Sequence, residues 1–154
     1  MTYHSSRLGP FTLQDEEILK FPEGLYGFEN ETRFGLLPFD PNVECPLKWF
    51  QSLSNPELAF VVTDPLLYTP GYKVRLSAEE KALIGASGKD TLCTLVIVTI
   101  PRDFTKMTAN LVAPLVINTR TLIGRQFVLS NPEYDTAHYL LPEEVRSGHA
   151  AQLA

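Results

Sequence analysis

Two apolar runs in the middle of the chain dominate its hydrophobic pattern: residues 92–100 (LCTLVIVTI) and 107–118 (MTANLVAPLVIN), joined by the polar link 101–106. In an extended first run, Cys93, Leu95 and Ile97 fall on one side and Leu92, Val96, Val98 and Ile100 on the other. Both sides are apolar, which predicts a strand covered on both faces rather than one half in water. A buried helix can carry the same run, but six of the nine residues are β-branched and Pro101 closes it. Strand is the better fit. The second run sets Met107, Ala109, Leu111 and Ala113 against Thr108 and Asn110. Pro114 then has no N–H for a ladder, so a bulge or edge position is expected there, with 115–118 resuming the strand. The two runs predict a hairpin that forms the spine of the fold.

Shorter patterns surround it. Residues 8–13 and 18–21 are strand candidates separated by the acidic turn 14–17. Between Phe21 and Phe28, Gly24, Gly27 and Pro22 punctuate four large apolar side chains, as in a loop whose aromatics reach back to the core. Residues 33–39 predict another strand, and 47–53 and 58–63 a second hairpin across Asn55-Pro56. Residues 72–76 alternate Tyr72, Val74 and Leu76 inward with Lys73 and Arg75 outward, predicting a half-buried strand. Ser77 and Glu80 form a capping box that starts one short helix, about 77–84, ended by Gly85. Residues 121–129 read as a last strand with a bulge at Gly124, and beyond Ser130 the pattern dissolves. About nine strands and one helix predict a mostly β fold, a sandwich or barrel. The domain is expected to span 1–142, with 143–154 a flexible tail.

Composition narrows the function. A chain of 154 residues with 44% hydrophobic content can bury about 68–70% of its unfolded surface, so disorder is not expected. The formal charge is −5 and the 13 basic residues are scattered, which disfavours nucleic acid and suits a protein partner. No segment has the apolar run of a signal peptide or a membrane span, so a cytoplasmic location is expected. Cys45 and Cys93 have no ligand-like spacing and are expected to stay free thiols.

No pattern of catalytic chemistry stands out in the sequence. His4, His138 and His149 are too far apart for a metal site, and no phosphate-binding or nucleophile motif occurs. The acidic clusters 15–17 and 29–31 read as solvated turns. Asp64, at a strand end before Pro65, reads as a turn cap or a partner contact. Asn110 and Asn118 read as side chains bonded to irregular backbone. Trp49 fits equally a core position or an exposed anchor. No cofactor, metal or catalytic residue is expected.

These segments resemble the FliW family of bacterial flagellar assembly factors. The resemblance runs from Gly9 to about Leu141 and rests on ILKFPEGLYGFE at 18–29, FQS at 50–52 with PELAFVV at 56–62 and Asp64-Pro65, TANLVAPLVIN at 108–118, and YDTAH at 134–138. The 41–46 stretch, with Cys45, departs as a slightly longer loop, and no family pattern extends past Pro142. The resemblance implies a compact antiparallel β-barrel-like domain without enzymatic activity. It implies binding to flagellin in the cytoplasm and, when flagellin has been exported, to the translational regulator CsrA. Capture of CsrA, away from its RNA-binding surface, would relieve its repression of flagellin translation. A helix-forming flagellin segment would require an apolar receptor surface. Contact is expected from Phe21, Leu25, Phe28, Trp49, Phe50, Gln51, Phe60, Asp64 and Asn110. Pro22, Gly24, Gly27, Ala113, Pro114 and Asn118 are expected to set backbone geometry, in a monomeric protein. The rival readings are a small-ligand barrel and a nucleic-acid-binding barrel, for which Tyr72-Lys73-Val74-Arg75 is the only hint.

Overall fold

The computed structural model describes the backbone of residues 1–153 and the side chains of residues 1–148. In chain order the elements are β1 (Thr2–Ser5), β2 (Gly9–Thr12), β3 (Leu19–Lys20), β4 (Arg33–Pro38), β5 (Lys48–Ser52), β6 (Ala59–Thr63), α1 (Ala78–Leu83), β7 (Leu92–Thr99), β8 (Thr108–Ala109), β9 (Leu115–Asn118), β10 (Gly124–Gln126), β11 (His138–Tyr139) and α2 (Glu143–Leu153).

The central hairpin forms as expected. β7 pairs with β9 from Leu92↔Asn118 to Leu95↔Leu115, and with β8 at Val98↔Ala109 and Thr99↔Thr108. Between these ladders the partner strand leaves the sheet at residues 110–114. Proline cannot donate there, and Asn110 Oδ1 accepts the amides of Val112 (3.1 Å) and Ala113 (3.2 Å) in place of the ladder. Both faces of β7 are covered. Cys93, Leu95 and Ile97 pack into a core with Phe21, Phe34 and Phe50. Val96 and Val98 pack into a second core with Leu47, Tyr72 and Met107.

The strands run β10-β9-β7-β6-β5-β4-β3, every neighbour antiparallel. The sheet curls until its ends meet: the Lys20 amide donates to Leu122 O at 2.8 Å beside a parallel bridge between Lys20 and Ile123. That single bridge, rather than a continuous ladder, makes the fold barrel-like with a seam. β11 pairs with β8, and β1–β2 form a separate hairpin over Tyr3, Leu13, Ile18 and Leu53.

Several expectations change. β1 carries one buried apolar residue, Tyr3, too little for a hydrophobic pattern, yet pairs in full register with β2. Residues 72–76 bury alternate side chains as expected but join no ladder. Tyr72 Oη instead donates to Leu111 O (2.7 Å), and the Lys73 amide donates to Tyr134 Oη (3.0 Å). Of residues 121–129 only Gly124–Gln126 form a ladder with β9, and Gly124 is no bulge: it sits opposite Ile117 in regular register. A Cβ there would lie 2.5 Å from the Phe21 ring, so the position takes glycine for space. Besides α1 there is a second helix, α2, whose few apolar residues form no periodic stripe in the sequence. Within the expected flexible tail, the side chains of 149–154 lie outside the described residues.

α1 has the predicted capping box, with the Glu80 amide donating to Ser77 Oγ (3.1 Å) and the Ser77 amide to Glu80 Oε1 (2.9 Å). The chain leaves α1 through Gly85 at φ 64°. Asp90 then ties this region to β9. Its carboxylate accepts Arg120 Nε (2.9 Å), Asn118 Nδ2 (3.0 Å) and the Ser87 amide (2.9 Å). The Arg120 and Ser87 bonds hold the carboxyl well below the usual carboxylate range. A lowered folded-state pKa contributes stability above the unfolded value of about 4 and loses it as pH falls below that. Unfolding by urea at neutral and acid pH should therefore show an acid-side loss that Asp90→Asn reduces. An identical pH dependence in the variant would contradict this.

Candidate protein-binding surface

The loop from Phe21 to Glu29 is built to send two side chains in and two out. The Gly24 amide donates to Phe21 O (2.8 Å), and Leu25 and Phe28 exchange backbone bonds at 2.7 and 3.3 Å. Gly24 (φ 65°) and Gly27 (φ 88°) occupy the left-handed region that side chains resist. At Gly24 space is also denied: a Cβ would lie 2.5 Å from Phe28 O and 2.6 Å from Glu29 Cα. The result buries Phe21 and Leu25 and leaves Tyr26 60% and Phe28 40% exposed. Phe21 meets Phe34 and Phe50 edge-on (5.8 and 5.2 Å), while Phe34 and Phe50 stack at 4.3 Å. Outside, Phe28 meets Phe60 edge-on at 5.3 Å.

Cross-strand register separates the other candidate contacts. Phe50↔Phe60 places Phe60 on the concave, core-side face, whereas Trp49↔Val61 places Trp49 on the opposite face. Trp49 is half-buried there, stacked on Phe39 at 5.3 Å with the Arg7 guanidinium 5.0 Å from its ring. Phe28 and Phe60 thus form one aromatic surface, with Trp49 on another. The concave face continues past Phe60 through half-buried Leu36, Ile97 and Cys93. Asn110 adjoins it, its amide donating to Ile97 O at 2.9 Å. Asp64 is exposed and caps the turn that follows β6, its Oδ1 accepting the Leu66 amide at 2.9 Å.

Phe21, Leu25, Phe50 and Gln51 have no surface to offer a partner in this state. Gln51 is a turn holder: its Nε2 faces the carbonyls of Ser52, Leu58, Asn55 and Pro56 at 3.0–3.3 Å, more acceptors than its two protons can serve. Glu31, expected in a solvated turn, lies just before β4 and is half-buried against the same β5–β6 turn. It accepts the hydroxyls of Ser52 and Ser54, both at 2.6 Å, and these bonds hold its carboxyl below the usual range. Nothing local in the sequence signals that pairing, because the serines lie 21 and 23 residues away. Tyr26 lies within the 21–28 loop expected to make contact, whereas Gln126 was missed. A polar residue at an inward position of β10 was the available signal for Gln126.

The depressions on the surface offer little chemistry. A cavity of about 160 Å³ lies at the seam between Glu23, Tyr26, Glu29, Arg125 and Gln126, smaller than a drug-sized ligand requires. A wider open groove brings Asp135, His138 and Arg146 into one neighbourhood. There the Arg146 guanidinium lies 3.8 Å from the Tyr139 ring centre and its Nε donates to Leu141 O at 3.2 Å, which engages the cation locally. Both cysteines are free, and burial together with the Asp64 charge pushes the Cys93 thiol up. No group of three metal-ligating side chains occurs among the described residues, and no described helix is long and apolar enough to cross a membrane.

Comparison with known proteins agrees with the sequence motifs. The family model described as "FliW protein" matches residues 2–140. The flagellar assembly factor FliW of Alkaliphilus metalliredigens is 36% identical over 143 residues, covering 93% of this chain and 88% of the relative. That of Syntrophomonas wolfei is 40% identical over 134 residues, covering 87% and 85%. A crystal structure of the flagellar assembly factor FliW superimposes with a TM-score of 0.83 at 32% identity, covering 94% of this chain and 99% of the other. The chain belongs to the FliW family.

Proposed function

We propose that this protein is a cytoplasmic, monomeric flagellar assembly factor that binds flagellin and, when free of it, binds CsrA and relieves repression of flagellin translation. The observation that carries the reading is exposed Phe28 packed edge-on against half-buried Phe60, with exposed Tyr26 on the same loop. Exposed aromatics on a rigid base are the usual anchors of a protein interface. A helix-forming flagellin segment would set apolar side chains against this surface and the half-buried residues beyond it. The net charge of −5, with Glu23 and Glu29 exposed at the loop, suits the basic surface expected of CsrA.

The test is a titration of the full chain with flagellin from the same host. Phe28→Ala with Phe60→Ala is expected to weaken binding by about 2 kcal/mol, roughly 30-fold, as for hot-spot rings. Asp64→Ala should change it less, because Asp64 already serves its own turn. Unchanged affinity in the double variant would move the flagellin site elsewhere.

A further inference from the structure

We infer that Gln126 is the positioning residue that sets the aromatic loop over the barrel seam. Gln126 ends β10 with 8% of its surface exposed. Its Oε1 accepts the Tyr26 amide at 2.9 Å, and its Nε2 donates to Ala113 O at 3.2 Å. One side chain therefore joins the loop that carries Phe28 to the irregular segment 110–114 that carries Asn110.

The place of this bridge in the sheet explains its importance. β3 meets the chain entering β10 at one parallel bridge, Lys20 with Ile123, where the Lys20 amide donates to Leu122 O. Past that point the loop lies beside β10 without a ladder. Among the described residues the other side-chain tie there is Glu23 with Arg125, a long pair at 4.0 Å whose carboxylate is largely in water, and such pairs hold little. Leu25 and Phe28 close the turn internally, and these backbone bonds fix its shape and not the angle of its tip. Leu25, buried in the core, anchors the base of the turn, and the Gln126 amide and the Phe28–Phe60 packing set how its tip, Tyr26–Phe28, stands over the seam. Only a group that accepts from an N–H and donates to a C=O at once can serve here, which a glutamine does and a carboxylate does not.

The inference rests on the proposed flagellin reading for its binding arm alone. The experiment compares the full-length wild type with Gln126→Met and Gln126→Glu. Hydrogen exchange reads the Tyr26 amide, and a flagellin titration reads the surface. Gln126→Met should speed Tyr26 exchange and weaken flagellin about tenfold each. Tyr72→Phe, which removes a buried bond on the other core, should do neither. Gln126→Glu should behave like Gln126→Met at about pH 8 and return towards wild type at about pH 5.5, because a buried carboxyl facing a carbonyl has a raised pKa and, once protonated, restores both bonds. Unchanged Tyr26 exchange in Gln126→Met, or a Gln126→Glu defect that is the same at both pH values, overturns the assignment. If the wild type does not bind flagellin, the proposed function fails while the exchange measurements still decide the role of Gln126.

Discussion

Truncating Phe50 to alanine is expected to lower the free energy of unfolding by about 3–5 kcal/mol. The ring is fully buried, stacked on Phe34 at 4.3 Å and met edge-on by Phe21 at 5.2 Å. Removing it deletes the middle of a three-ring cluster that joins β4, β5 and the aromatic loop. The walls of the space are rings already at packing distance, so they have little freedom to collapse into it. Against a typical total of about 5–15 kcal/mol the loss is large, and the thermal midpoint should fall by roughly 10 °C. Urea unfolding at neutral pH gives the number directly. Phe60→Ala is the control: half-buried at the same sheet row, it should cost clearly less. Equal losses from the two variants would mean that the core is not centred where the structure places it.

Gly24→Ala is expected to be the more damaging of the two glycine substitutions in the loop. Its φ of 65° costs an alanine about 1–2 kcal/mol. The added Cβ also meets backbone atoms, Phe28 O at 2.5 Å and Glu29 Cα at 2.6 Å, which cannot rotate away as a side chain would. Together these effects should cost about 2–4 kcal/mol. The turn must open, and Phe28 is displaced from Phe60 with it. Flagellin affinity should fall along with stability. Gly27→Ala separates the causes, since Gly27 shares a positive φ (88°) but has open space around its missing side chain. It should lose only the conformational part. If Gly27→Ala is as harmful as Gly24→Ala, the close approach at Gly24 is not what shapes the loop.

What could be read from the sequence were features whose causes lie close together along the chain. The two apolar faces of β7, the proline that interrupts its partner, and the Ser77–Glu80 box are each set by neighbours within a few residues. Asn110 and Asp64 were legible for the same reason, each bonding to amides two or three residues on. The seam was not legible, because it is a backbone bond from Lys20 to Leu122 with no side-chain signature. Glu31 with Ser52 and Ser54, and Tyr26 with Gln126, are bonds between segments that only the curled sheet brings together. Residues 72–76 show the converse: their period-two burial was real, but a tyrosine hydroxyl and not a ladder docks them.

The candidate surface follows the same division. Motif segments 18–29, 50–52 and 56–62 supply both core and exposed positions, so motif and candidate contact surface are different things. Phe21 and Phe50 form the core that fixes where Phe28 and Phe60 stand. Trp49, one residue from Phe50, faces the other way because strand neighbours alternate.

The partner switch is tested most directly by loading the full chain with CsrA from its own host and titrating in flagellin while following CsrA release. The account predicts that both proteins bind and that flagellin displaces CsrA, with displacement weakened in the Phe28→Ala, Phe60→Ala variant. A stable assembly holding both partners at once, or no binding of either, would contradict it.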